Sequence, residues 1–83
     1  MTANRVHLES SALTAVVFWP ESNVLEVEFR NGLIYEYLDV SCSIYEQLLT
    51  ASSKGAFFGR FIRNCFPYRR VARLSELSDQ HWP

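Results

Sequence analysis

The chain is short of the residues that announce most chemistries. It has two cysteines, Cys42 and Cys65, with no C-x-x-C and no accompanying histidine pattern, so neither a zinc knuckle nor a disulfide framework is signalled. We read both as small buried apolar residues. Only three glycines and three prolines are present, too few for a Gly-rich nucleotide loop or a disordered linker. The two histidines, His7 and His81, lie near the ends without partners at metal-ligand or triad spacing. No nucleophile, base and orienting acid fall into a recognisable arrangement, and the chain reads as no enzyme, with no cofactor. The first residues lack an apolar leader core, and no segment approaches the ~20 apolar residues of a membrane span. A reduced, cytoplasmic setting is the expectation.

One absence concerns charge. No Asp or Glu occurs between positions 54 and 73, a stretch that holds Lys54, Arg60, Arg63, Arg69, Arg70 and Arg73. The acids concentrate upstream, in Glu9, Glu21, Glu26, Glu28, Glu36, Asp39 and Glu46. A net charge of −1 therefore conceals a molecule expected to be electrically two-sided.

What is present is apolar and patterned. With 83 residues and 48% hydrophobic content, the chain supports one packed core and no second. Its organising stretch is Leu25 to Tyr37, two alternating runs around Asn31-Gly32, which is a β-hairpin signal. A two-residue loop would pair Phe29 with Ile34 and turn Tyr35 and Tyr37 away from Leu25, Val27 and Phe29. A three-residue loop, Arg30-Asn31-Gly32 with a left-handed glycine, pairs Phe29 with Leu33 instead. Then Leu25, Val27, Phe29, Leu33, Tyr35 and Tyr37 share one apolar face, while Glu26, Glu28, Arg30 and Glu36 share the other with Ile34 and Leu38. A one-residue slip exchanges whole faces, so burial favours the three-residue loop.

Before the hairpin, residues 12–19 carry β-branched and aromatic residues typical of a strand, followed by a turn at Pro20-Glu21-Ser22-Asn23. Residues 1–9 form an arm or a short edge segment. After Val40 the period changes to three or four. Ser43-Ile-Tyr-Glu46 reads as a capping box, with Asp39 or Ser41 as alternative caps, and starts a helix to about Ala51 with Ile44 and Leu48 inward. Ser53 caps a second helix to about Asn64, in which Phe57, Phe58, Phe61, Ile62 and Cys65 make the buried face. Pro67 ends it, and Tyr68-Arg69-Arg70-Val71 leaves extended. Residues 72–83 form a tail, where Leu74, Leu77 and Trp82 are candidates to grip the core. The expected fold is α+β: a three-stranded antiparallel meander followed by two helices on one face (β-β-β-α-α). Its free strand edges make a homo-oligomer an expectation too.

These residues in this order, Ser10-Ser11, Leu25-Glu-Val-Glu-Phe29, Gly32, Tyr35-Glu-Tyr37, Val40, Ile44-Tyr45, Leu48-Leu49, Ser53-Lys54-Gly55, Phe57-Phe58 and Ile62, resemble the KTSC domain. That family takes its name from the C-terminus of some lysyl-tRNA synthetases, and similar domains occur as small free-standing bacterial and phage proteins. The likeness runs from Val6 to Val71, with residues 10–71 as the domain proper. Ser41 stands where the family tends to have Pro, and the tail lies outside the likeness. The resemblance implies no established activity and suggests RNA as a partner.

Two candidate sites follow. Ser53-Lys54-Gly55 is a helix start able to hold a phosphate; it is equally a cap, a turn glycine and a solvated lysine. Arg60, Arg63, Arg69 and Arg70, with Tyr68 among them, suit a nucleic-acid backbone, or else pair with acids of the strands. Tyr35 and Tyr37 belong to the core on the favoured register, and would stack bases on the other. The expectation is a small RNA-binding module; the alternatives are an adaptor for an acidic protein partner and a binder of a small anionic nucleotide.

Overall fold

The computed structural model describes residues 4–73. The tail from Leu74 to Pro83, with its candidate anchors Leu77 and Trp82 and with His81, lies outside them, as do the side chains of Ala72 and Arg73. The described residues form one antiparallel sheet in the order β1 (Arg5–His7), β2 (Leu13–Trp19), β3 (Val24–Phe29), β4 (Leu33–Tyr37) and β5 (Tyr68–Arg73). Between β4 and β5 the chain makes α1 (Cys42–Thr50) and α2 (Lys54–Phe57), which passes directly into a π-helical turn, Phe58–Ile62.

The α+β class is as expected, but the sheet has five strands, not three. Arg5–His7 is too short to carry an alternation signal, yet it pairs along β2, with Val6 opposite Val16. Tyr68–Arg73 is half arginine and has no apolar alternation. It becomes a strand because β4 offers an unpaired edge and Pro67 has just ended the helix.

The hairpin takes the three-residue loop. Leu25 pairs with Tyr37 and Val27 with Tyr35, the Gly32 amide donates to the Phe29 carbonyl at 2.9 Å, and Gly32 has φ 87°. That register gives the sheet one apolar side. Leu13, Val16, Phe18, Leu25, Val27 and Tyr37 meet Leu48, Phe58 and Ile62 of the helical segment in a continuous core. The other side carries Glu26, Glu28 and Glu36.

Helix α1 is capped by Ser41, one of the two alternatives to the Ser43 capping box and two residues before it. The Ser41 hydroxyl accepts from the Ile44 amide at 3.2 Å, whereas Ser43 accepts from the Gln47 side chain and Glu46 from the Cys42 thiol. Cys42 thus stands on the outer side of the first turn and Cys65 just beyond the π-turn. Both are exposed, against the expectation that they are buried. Ser53 does cap α2, accepting from the Ala56 amide at 3.3 Å.

The π-turn, closed by the Arg63 amide on the Phe58 carbonyl at 2.9 Å, corrects the inner face as well. Phe58 and Ile62 both stay inward, while Phe61 is rotated out, 47% exposed, and meets the Phe57 ring at 4.8 Å with a 42° tilt.

Candidate nucleic-acid interface

The sheet's apolar side extends past the helices at its β4–β5 corner. There Phe29, Leu33, Tyr35, Tyr37 and Tyr68 from three strands face Arg63 and Asn64 from the end of the π-turn, with Asn31 of the hairpin loop at the rim. They enclose an open pocket of about 270 Å³. Strand alternation explains the tyrosines. Tyr35 and Tyr37 are two apart on β4, and Tyr68 is the register partner of Tyr37, so all three fall on the same side.

Their rings form an array: Tyr35 and Tyr68 are 5.5 Å apart, Tyr37 and Tyr68 5.5 Å, Tyr35 and Tyr37 6.4 Å. Behind them Phe58 meets Tyr37 edge-on at 5.3 Å, and Phe29 meets Tyr35 edge-on at 5.7 Å. The array is graded in exposure, from Tyr37 at 3% through the half-buried Tyr35 to Tyr68 at 57%. Burial pushes the Tyr37 hydroxyl up to about 12, with Tyr35 and Tyr68 adding to the rise and the Arg63 guanidinium opposing it. The expectation that Tyr35 and Tyr37 belong to the core therefore holds for Tyr37, while Tyr35 serves both core and pocket.

The predicted cations separate. Arg63 lines the pocket, 5.9 Å from the Phe58 ring. Arg70 is the register partner of Tyr35 and stands on the pocket side of β5. Arg60 lies outside the lining, 5.7 Å from the ring of Phe61. Arg69, however, is one residue from Arg70 on a strand and points to the opposite side, where it ion-pairs with Glu36 at 2.8 Å. It leaves the group for that reason.

The Ser53-Lys54-Gly55 turn borders a second groove of about 470 Å³ that also includes Ser10 and Arg63. Its groups have internal work. Ser53 caps α2, the Lys54 ammonium donates to the Ala51 carbonyl at 2.8 Å, and a Cβ on Gly55 would lie 3.5 Å from Ala12. The structural reading accounts for Ser53 and Lys54, whereas at Gly55 a side chain would meet only ordinary van der Waals contact.

The acidic side is internally compensated at its flanks. Arg5 ion-pairs with the buried Glu28, and Arg69 with Glu36. Glu26 lies between, directly opposite Glu36 across β3 and β4. Burial, then the Glu36 and Glu28 charges, raise its carboxyl above the ordinary value, with Arg5 opposing. Asn64 is a pocket residue that carries no sequence signal of its own, while Asn31 and Leu33 carry a signal for the hairpin and none for the pocket. Among the described residues no group of His, Cys, Asp or Glu is placed to hold a metal, and no helix is long and apolar enough to cross a membrane.

A small sheet capped on one side by a short helical pair, with a tyrosine and arginine pocket at its open corner, defines the class. The KTSC domain model matches residues 9–66, and the chain belongs to that family. The crystal structure of a KTSC domain protein from Yersinia pestis superposes with a TM-score of 0.82 at 30% identity, covering 86% of this chain and all of that one. An uncharacterised protein of Stutzerimonas stutzeri is 39% identical over 59 residues, which is 71% of this chain and 83% of that protein. A lysine–tRNA ligase of Nostoc sp. is 38% identical over 64 residues, 77% of this chain. The match spans only 11% of the ligase.

Proposed function

We propose that the domain is a non-catalytic module that binds single-stranded RNA on the tyrosine and arginine corner. The observation that carries this reading is the convergence of Tyr35, Tyr37 and Tyr68 on a pocket bordered by Arg63. Aromatic faces accept unstacked bases, and guanidinium forks accept phosphate. Arg70 beside Tyr35, and Arg60 three residues before Arg63, extend the positive strip on the same account. On the opposite side Arg5 and Arg69 are already paired with Glu28 and Glu36, which favours the tyrosine corner as the side that meets a polyanion. RNA is favoured over other polyanions because a relative that contains this domain is named as a ligase acting on tRNA. The two free, exposed cysteines suit a reducing, cytoplasmic setting.

Titration of a single-stranded RNA oligomer at two ionic strengths tests the reading. Three arginine contacts predict that log K falls with log salt at a slope of about −2, near 0.7 per phosphate on single strands. The double variant Arg63→Glu with Arg70→Glu abolishes binding. Undetectable binding at low salt, or unchanged affinity in the double variant, contradicts the proposal.

A further inference from the structure

We propose that the tyrosine pocket is a single-nucleotide slot: one unstacked nucleobase lies on the exposed face of Tyr68, and the phosphate of the same nucleotide sits on Arg63. This rests on the RNA-binding reading and names its smallest ligand, a nucleoside 5′-monophosphate.

Size sets the first limit. At about 270 Å³ the pocket falls below the ~300–1,000 Å³ typical of drug-sized sites, so it admits one heteroaromatic ring system and no stack of bases. Ring spacing sets the second. A base between two rings needs two contact distances of about 3.5 Å each, but Tyr35 and Tyr68 are already 5.5 Å apart. The base therefore enters the pocket against one face of the outermost ring and is sandwiched between no two rings. Tyr68, 57% exposed, is that outermost ring, and Tyr35 and Tyr37 fix it from behind.

The polar groups are placed for the remainder of the nucleotide. Asn64 borders the pocket with a side-chain amide, able to donate to and accept from a base edge. Arg63, its neighbour in sequence, lines both this pocket and the adjoining groove, so this residue marks where the two cavities meet. A phosphate there joins a base in the tyrosine pocket to a chain leaving through the serine-lined groove of Ser10 and Ser53.

The test compares uridine and uridine 5′-monophosphate on the intact, isotopically labelled protein by NMR, with an oligo(U) as reference. The monophosphate shifts resonances of Leu33, Tyr35, Asn64 and Tyr68. Tyr68→Ala weakens uridine and its monophosphate alike, by about 5- to 150-fold, the range for losing one base stack. Arg63→Gln weakens the monophosphate about tenfold and leaves uridine unchanged. Tyr68→Phe, which keeps the ring, retains both affinities. Oligo(U) binding without monophosphate shifts at these residues, or Arg63→Gln weakening uridine as much as its monophosphate, overturns the slot and leaves the RNA reading standing. Absence of binding by both oligo(U) and monophosphate at low salt overturns the two together.

Discussion

Arg69 and Glu36 face one another across β4 and β5, with the guanidinium Nε and Nη2 each 2.8 Å from one carboxylate oxygen on the acidic side of the sheet. Arg63, six positions earlier in the chain, stands on the other side at the tyrosine pocket. Two residues of the same type in one basic run thus carry different work.

This yields the first prediction. Arg63→Ala weakens single-stranded RNA binding and lowers the salt slope by about 0.7, one phosphate contact. Arg69→Ala leaves affinity and slope unchanged, and costs under about 1 kcal/mol of stability because the arginine side chain of the pair is 70% exposed. Fluorescence titrations of both variants at two salt concentrations check the contrast.

How far the chain could be read in advance turns on the same residues. The hairpin register was legible because only one pairing collects Leu25, Val27, Phe29, Leu33, Tyr35 and Tyr37 on one side, and the structure adopts it. The fifth strand was not, because Tyr68-Arg-Arg-Val-Ala-Arg has no apolar alternation and its pairing comes from the vacant edge of β4. Without that strand the period of two that divides Arg69 from Arg70 is invisible, and so is the alignment of Tyr68 with Tyr37. The π-turn left no trace in the pattern of phenylalanines, which is why Phe61 reads as core. Tyr68 and Arg63 could be singled out as types of residue; the pocket that unites them could not.

Glu26 offers a pH dependence. Its carboxyl is raised in the folded state, by burial first and then by Glu36 and Glu28, above the 4.5 of an ordinary glutamate. As pH falls, the folded state takes up this proton before the unfolded chain does, so the contribution of Glu26 to stability increases until pH reaches about 4.5. Glu26→Gln removes the like charge directly opposite Glu36 and gains about 0.2–1 kcal/mol at neutral pH. It also loses the increment on mild acidification. Urea midpoints of both proteins between neutral and weakly acidic pH decide it.

Alkaline pH acts through Tyr37. Its hydroxyl ionises at about 12 in the folded protein against 10 for a free tyrosine. Between these values the unfolded chain has lost the proton and the native one keeps it, so stability falls as pH rises through that window. A tyrosinate absorbance titration shows a late-ionising group that Tyr37→Phe removes, and the variant loses less stability over the same range.

Gly32 closes the hairpin loop at φ 87°, a region costly to any residue with a Cβ. Gly32→Ala lowers stability by about 1–2 kcal/mol, read from the denaturant midpoint with unchanged m-value. The two-residue loop would have placed no such demand on this position alone.

The most direct test of the account is chemical-shift mapping of the labelled protein with single-stranded RNA at low salt. The largest changes should fall on Leu33, Tyr35, Tyr37, Arg63, Asn64, Tyr68 and Arg70, and vanish as salt rises. Shifts centred on Glu26, Glu28 and Glu36, or no shifts at all, would contradict it.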